Sequence, residues 1–115
     1  MKVILIEDDP GIREALQVVL DRAGYEAIIY PDGVAILEGN FPLPDVFIID
    51  KQLSGIDGLD ICRYLKNREE TKHIPVIMTS ASPHTANLAK EVCADDFIEK
   101  PFKNKHLLEL VSKHI

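Results

Sequence analysis

Five side chains in this 115-residue sequence are of the types that handle phosphate and divalent cations: Glu7, Asp8, Asp50, Ser80 and Lys100. They stand at the ends of apolar runs: Lys2 to Ile6, Val46 to Ile49, Val76 to Thr79, and the pair Phe97-Ile98. Three carboxylates brought into one pocket repel and raise one another's pKa values. A hard divalent cation relieves that repulsion, and Mg²⁺ takes one or two carboxylates, keeps several waters and shares a phosphate. Ser80 adds a hydroxyl donor and Lys100 a compact positive charge, both suited to an anion's oxygens. Singly, each residue has a plainer explanation, since acidic residues after strands often cap helices. It is the convergence of all five on one edge that counts.

That convergence requires a particular set of elements. The run Lys2 to Ile6 is continuously apolar after its first residue, as in a strand buried on both faces of a parallel sheet. Asp9 then stands as an N-cap with Pro10 at the first helical position. Ile12, Ala15, Leu16, Val19, Leu20 and Ala23 follow at helical spacing, and Gly24 closes the helix. A second strand covers Glu26 to Tyr30, and a short helix runs from about Gly33 to Leu37. The third strand ends at Asp50, and a helix from Gly58 to about Asn67 buries Ile61, Cys62 and Leu65. Pro75 opens the fourth strand, and a helix covers about Thr85 to Val92. Phe97-Ile98 forms the core of the fifth strand. The last helix turns Leu107, Leu108, Val111 and Ile115 to one side. Strict alternation predicts an α/β domain with a doubly wound parallel sheet, whose ligands bind beyond the carboxyl ends of the strands.

Composition excludes other classes. Thirteen Lys and Arg against 19 Asp and Glu leave a net charge of −6, and no basic run is present. Direct nucleic-acid binding is therefore not expected. No apolar stretch suits a membrane span or a signal peptide, so the chain reads as cytoplasmic and without a membrane partner. Cys62 and Cys93 lack metal or redox spacing and are expected to be reduced and packed. His73, His84, His106 and His114 are expected to be solvated. No GxxxxGK[ST], GxSxG or HExxH pattern occurs, which argues against a P-loop hydrolase, a serine hydrolase and a zincin.

Taken together, Glu7-Asp8, Asp50, Ser80-Ala81 and Lys100-Pro101-Phe102 resemble the signature of bacterial response-regulator receiver domains, the single-domain chemotaxis-regulator type. The blocks VILIEDDPGIREAL, PDVFIIDKQLSGIDGLDICRYLK, IPVIMTSAS and ADDFIEKPF match in order and spacing. The resemblance implies a five-stranded flavodoxin-like sheet of order 2-1-3-4-5 with helices on both faces, and one receiver domain over residues 1–115 with no output domain. It implies Asp50 as phosphoacceptor in a two-component system. Asp8 would be the direct Mg²⁺ ligand, Glu7 a ligand acting mainly through water, and the Gln52 backbone carbonyl a further ligand. Ser80 would bind the aspartyl phosphate, Ala81 would leave room for it, and Lys100 would balance its charge, with a cis bond to Pro101. Phe97 would be the aromatic switch partner of Ser80, the two lying at the ends of adjacent strands. The implied partners are a sensor histidine kinase or phosphotransfer protein and an unidentified downstream protein. The protein would be no enzyme beyond assisting its own phosphorylation and dephosphorylation.

Three departures stand out: Lys51 where an apolar residue is usual, Ser54 where Pro is usual, and a stretch from Ser80 to Phe97 about two residues short. Two other functions remain open at this stage. One is an Mg²⁺-dependent phosphohydrolase with Asp50 as nucleophile, although Gln52 stands where such an enzyme places its general acid. The other is a receiver-like scaffold that is never phosphorylated.

Overall fold

The apolar runs do become the middle of a sheet. A computed structural model describes residues 1–115, with elements in the order β1 (Lys2–Ile6), α1 (Pro10–Arg22), β2 (Glu26–Tyr30), α2 (Val34–Leu37), β3 (Val46–Asp50), α3 (Gly58–Lys66), β4 (Val76–Ser80), α4 (Thr85–Glu91), β5 (Asp96–Glu99) and α5 (Asn104–His114). All strand pairs are parallel, in the order β2-β1-β3-β4-β5. β3 and β4 are buried along their whole length because helices cover both faces. The outer strand β2 is only half-covered.

Alternation along the strands divides the core in two. Ile4, Ile6, Phe47, Ile49, Val76 and Met78 face the side packed by α2, α3 and α4. Val3, Leu5, Val46, Ile48, Ile77 and Ile98 face α1 and α5, where Leu16, Leu20, Leu107 and Val111 complete the layer. No helix is long and apolar enough to cross a membrane.

The helix ends follow the chemistry expected of them. Asp9 accepts the Ile12 N–H at 3.0 Å and caps α1. At its other end Gly24 adopts φ +91°, while its N–H reaches the Asp21 carbonyl and that of Tyr25 reaches Leu20, the pairing of a Schellman turn. α4 ends in the same pairing, Cys93 N–H to Lys90 and Ala94 N–H to Ala89, with Cys93 at φ +64° in the glycine position. This corrects the expectation for one cysteine only: Cys93 is exposed, while Cys62 is free and buried as expected. Burial pushes the Cys62 thiol up to about 12.

The expectation that all four histidines are solvated also fails at one position. His114 is half-buried, with Nε2 3.0 Å from Asp96 Oδ2, and Lys113 Nζ lies 3.3 Å from the same oxygen. Burial would raise the Asp96 carboxyl, but the bonds from His114 and Lys113 outweigh it and hold the carboxyl below its usual value.

Candidate functional site

The carboxyl ends of β1, β3 and β4 and the loop after β5 meet at one edge of the sheet, at the switch point between β1 and β3. Glu7 and Asp8 directly follow β1, and Asp50 is the last residue of β3. Each offers a carboxylate oxygen within 4.8 Å of the others. Lys100 reaches across from β5, with Nζ 2.5 Å from Glu7 Oε1 and 3.0 Å from Asp50 Oδ2. Its bond to Pro101 is cis.

The electrostatics show how crowded the cluster is. Burial raises the Glu7 carboxyl above its usual value; the Lys100 bond opposes that rise, and the neighbouring Asp50 adds to it. Burial alone would lower the Lys100 ammonium, but its bonds to Glu7 and Asp50 outweigh that and hold it above the ordinary lysine value. Glu7 and Asp50 are almost wholly buried, whereas Asp8 is half-exposed at the mouth. The cluster is therefore a part-neutralised acidic pocket, open on the Asp8 side.

Several groups that position it carry no signal in the sequence. Arg13 Nη1 donates to the Glu7 and Asp8 carbonyls, at 3.2 and 2.9 Å, pinning the turn between β1 and α1. The loop after β3 is drawn back so that Gly58 N–H donates to the Lys51 carbonyl at 2.9 Å. A Cβ at Gly58 would lie 2.0 Å from the Asp50 carbonyl oxygen, so the close approach needs glycine. The two departures noted in this loop both have partners. Lys51 Nζ pairs with Asp57 at 2.9 Å, and Ser54 Oγ donates to Asp8 Oδ2 at 3.2 Å. A hydroxyl at a position where proline is usual was the one sequence signal that could have flagged the Ser54 contact.

Ser80 ends β4, fully buried, beside the carboxylates. Its hydroxyl is bonded to Gln52 Oε1 at 3.1 Å, to Thr85 Oγ1 at 2.9 Å and to the Ser82 N–H at 3.0 Å. The contact of Gln52 is thus made by its side-chain amide. Thr79, opposite Asp50 in the ladder, turns Oγ1 toward Asp50 Oδ1 at 3.5 Å. Ala81 is exposed, and with Ile12, Ala15, Pro101 and Phe102 it lines a groove of about 470 Å³ that reaches Lys100.

Phe97 is not where expected. It lies near the start of β5, opposite Met78, two register positions behind the Ser80–Glu99 pair. It shares the α2–α3–α4 face with Met78 and is half-buried there. The two residues are therefore on one face but not at adjacent strand ends. The reason is that β5 runs two residues past Phe97, and it is Glu99 that stands opposite Ser80.

Comparison with known proteins agrees with this picture across the chain. Residues 3–112 match the family model of the response regulator receiver domain. The transcriptional regulatory protein CseB of Streptomyces coelicolor is 41% identical over 103 residues, covering 87% of this chain and 43% of that protein. The DNA-binding response regulator MtrA of Mycolicibacterium smegmatis is 34% identical over 113 residues, covering 96% and 48%. This chain thus spans about half the length of the curated relatives it matches. Among solved structures, the signal receiver domain of a signal transduction histidine kinase from Syntrophus aciditrophicus superposes with a TM-score of 0.88. It is 31% identical, covering 97% of this chain and 87% of that one.

Proposed function

This chain belongs to the response regulator receiver domain family, and from that membership we propose that it is switched by phosphorylation of Asp50 with Mg²⁺ bound at Glu7, Asp8 and Asp50. The observation carrying the reading is the single cluster of three carboxylates with Lys100 bridging two of them. An all-oxygen, acid-rich donor set open on one side suits a hard cation that keeps part of its water. Asp8, Asp50 and the Gln52 backbone carbonyl would be direct ligands, with Glu7 acting mainly through water. When bound, the ion supplies positive charge to the phosphoryl oxygens and to the crowded carboxylates.

The chain's own residues do the rest. An Asp50 carboxylate oxygen attacks phosphorus in line, forming the acyl phosphate O–P bond as the donor's bond to phosphorus breaks. The donor group keeps that electron pair. Lys100 sits beside Asp50 and already faces the acceptor, so it meets the negative charge gathering on the phosphoryl oxygens without reorganising. Ser80 supplies an O–H for one of those oxygens after the transfer. Receiver domains of response regulators take their phosphoryl group from histidine kinases, so a sensor kinase or phosphotransfer protein is the donor we assign. The cytoplasm is the compartment this implies. The chain is no enzyme toward other substrates, and the DNA-binding that MtrA's name records belongs to that protein. A net charge of −6 disfavours phosphate-backbone binding by this chain.

Intact-mass measurement after incubation with acetyl phosphate and Mg²⁺ tests the reading. One phosphoryl group should add to the wild type and none to Asp50→Asn, which keeps the shape but removes the nucleophilic charge. Uptake by Asp50→Asn at the wild-type level would assign the acceptor elsewhere. Asp8→Asn should abolish any rise in melting temperature that Mg²⁺ produces.

A further inference from the structure

Every hydrogen-bonding position of the Ser80 hydroxyl is taken. Its oxygen accepts from the Ser82 N–H and from Thr85 Oγ1, and its one O–H donates to Gln52 Oε1. A hydroxyl has one donor and two acceptor sites, so none is left for a new partner. None of these bonds reaches Asp50, whose side-chain partners are Lys100 and Thr79.

Thr85 is the first residue of α4 and is buried to 1% exposure. Ser80 is the only side chain its hydroxyl touches through a hydrogen bond. His84, ahead of it, provides no side-chain cap, so the Thr85–Ser80 bond is the polar tie holding the start of α4 to the sheet. We propose that Thr85 is a positioning residue that, together with Gln52, holds the Ser80 hydroxyl turned away from Asp50, so that Ser80's turn toward a phosphoryl group releases the first turn of α4. The inference rests on the receiver reading above, because it needs an acyl phosphate on Asp50 to draw Ser80 over.

The energetics fix the direction of the effect. Turning Ser80 leaves the Thr85 O–H buried without a partner, a costly state that the first turn of α4 relieves only by shifting. Thr85→Val keeps the shape but removes that donor. The resting state then loses a bond that the switched state lacks in any case, and the equilibrium moves toward the switched state.

The test uses beryllofluoride with Mg²⁺ as the phosphoryl mimic, read by amide NMR titration and by hydrogen exchange of residues 86–91. Wild type should lose protection in α4 on binding. Thr85→Val should bind the mimic roughly three- to tenfold tighter, the equivalent of one net hydrogen bond, and show a loosened α4 before the mimic is added. Thr85→Ser should restore both readouts. Gln52→Ala, at an exposed position that does not threaten folding, should tighten binding in the same direction. Unchanged mimic affinity in Gln52→Ala and Thr85→Val, with an unchanged α4 response, overturns the inference while leaving the receiver reading standing. A wild type that takes neither the mimic nor phosphoryl from acetyl phosphate overturns that reading, and the inference falls with it.

Discussion

α3 and α4 leave neighbouring strands at the same edge of the sheet, yet they are anchored very differently. α3 starts with Asp57, whose carboxylate accepts the Leu59 N–H at 2.8 Å and pairs with Lys51. It buries Gly58, Ile61, Cys62 and Leu65. Past its end, Thr71 Oγ1 donates to the Leu65 carbonyl at 2.6 Å, and Lys66 ties to the Ile74 carbonyl and to Asp95. α4 has seven residues, no side-chain cap, two buried positions and a cysteine held in the left-handed region at its close. The strand end carrying Asp50 thus leads into a capped and well-tied helix, while the strand end carrying Ser80 leads into one with fewer anchors. Local stability differs in this way wherever a structure must hold one part of a site and release another.

The strongest way to break that contrast is at the close approach in front of α3. Gly58→Ala places a methyl against the Asp50 carbonyl, which nothing flexible can relieve, and should cost about 3 kcal/mol in urea unfolding. A loss below about 0.5 kcal/mol would mean that the loop after β3 is as yielding as the one after β4. Next in size, Asp57→Ala removes the cap and should cost about 1 kcal/mol. The matching change at His84, His84→Ala, should cost nothing measurable, because that side chain makes no cap bond. In the opposite direction, Cys93→Gly should stabilise the protein by about 1 kcal/mol by relieving the left-handed strain, less glycine's greater loss of chain freedom. It should also slow amide exchange in α4. A neutral result there would detach α4's looseness from its strained end.

The smallest effect sharpens the contrast by testing whether the looseness instead begins in β5. Asp96 pins the start of β5 to the end of α5, and its carboxyl is held below the usual value of 3.8. A carboxyl depressed in the folded state stabilises it above that value, and the stability is lost as pH falls through the lower folded value. The melting-temperature gap between wild type and Asp96→Asn should therefore hold at neutral pH and close in acid. Exchange in α4 should be the same in both proteins. Faster α4 exchange in Asp96→Asn would shift the weakness into β5.

Much of the scaffold could be read directly from the residues. The buried runs ending at Ile6 and Asp50, the spacing of Ile12, Leu16 and Leu20, and Asp9 and Gly24 at the ends of α1 are local signals, and local physics produces them. The gathering of Glu7, Asp8, Asp50, Ser80 and Lys100 at one edge was legible because they stand at the ends of different strands of a parallel sheet, whereas the pairing of Lys100 with Glu7 and Asp50 came from the structure. What stayed hidden depends on side chains that meet from distant parts of the chain. Nothing near Arg13 marks it as the clamp on the Glu7 and Asp8 carbonyls, and nothing near Thr85 marks its bond to Ser80. Cys93 hid the end of α4 because the turn there uses no glycine. The offset of Phe97 from Ser80 is hidden because nothing in the apolar pair Phe97-Ile98 marks that β5 runs on to Glu99.

The order in which the site's groups occur along the chain has a consequence for biosynthesis. Glu7, Asp8 and Asp50 are all made before Lys100, which neutralises two of them. As the chain leaves the ribosome, β1 and β3 can pair before their counter-charge exists. The three carboxylates then repel one another without Lys100 to offset them. Free divalent cation supplies compensation in its place, so its concentration should influence how early the first half of the sheet closes.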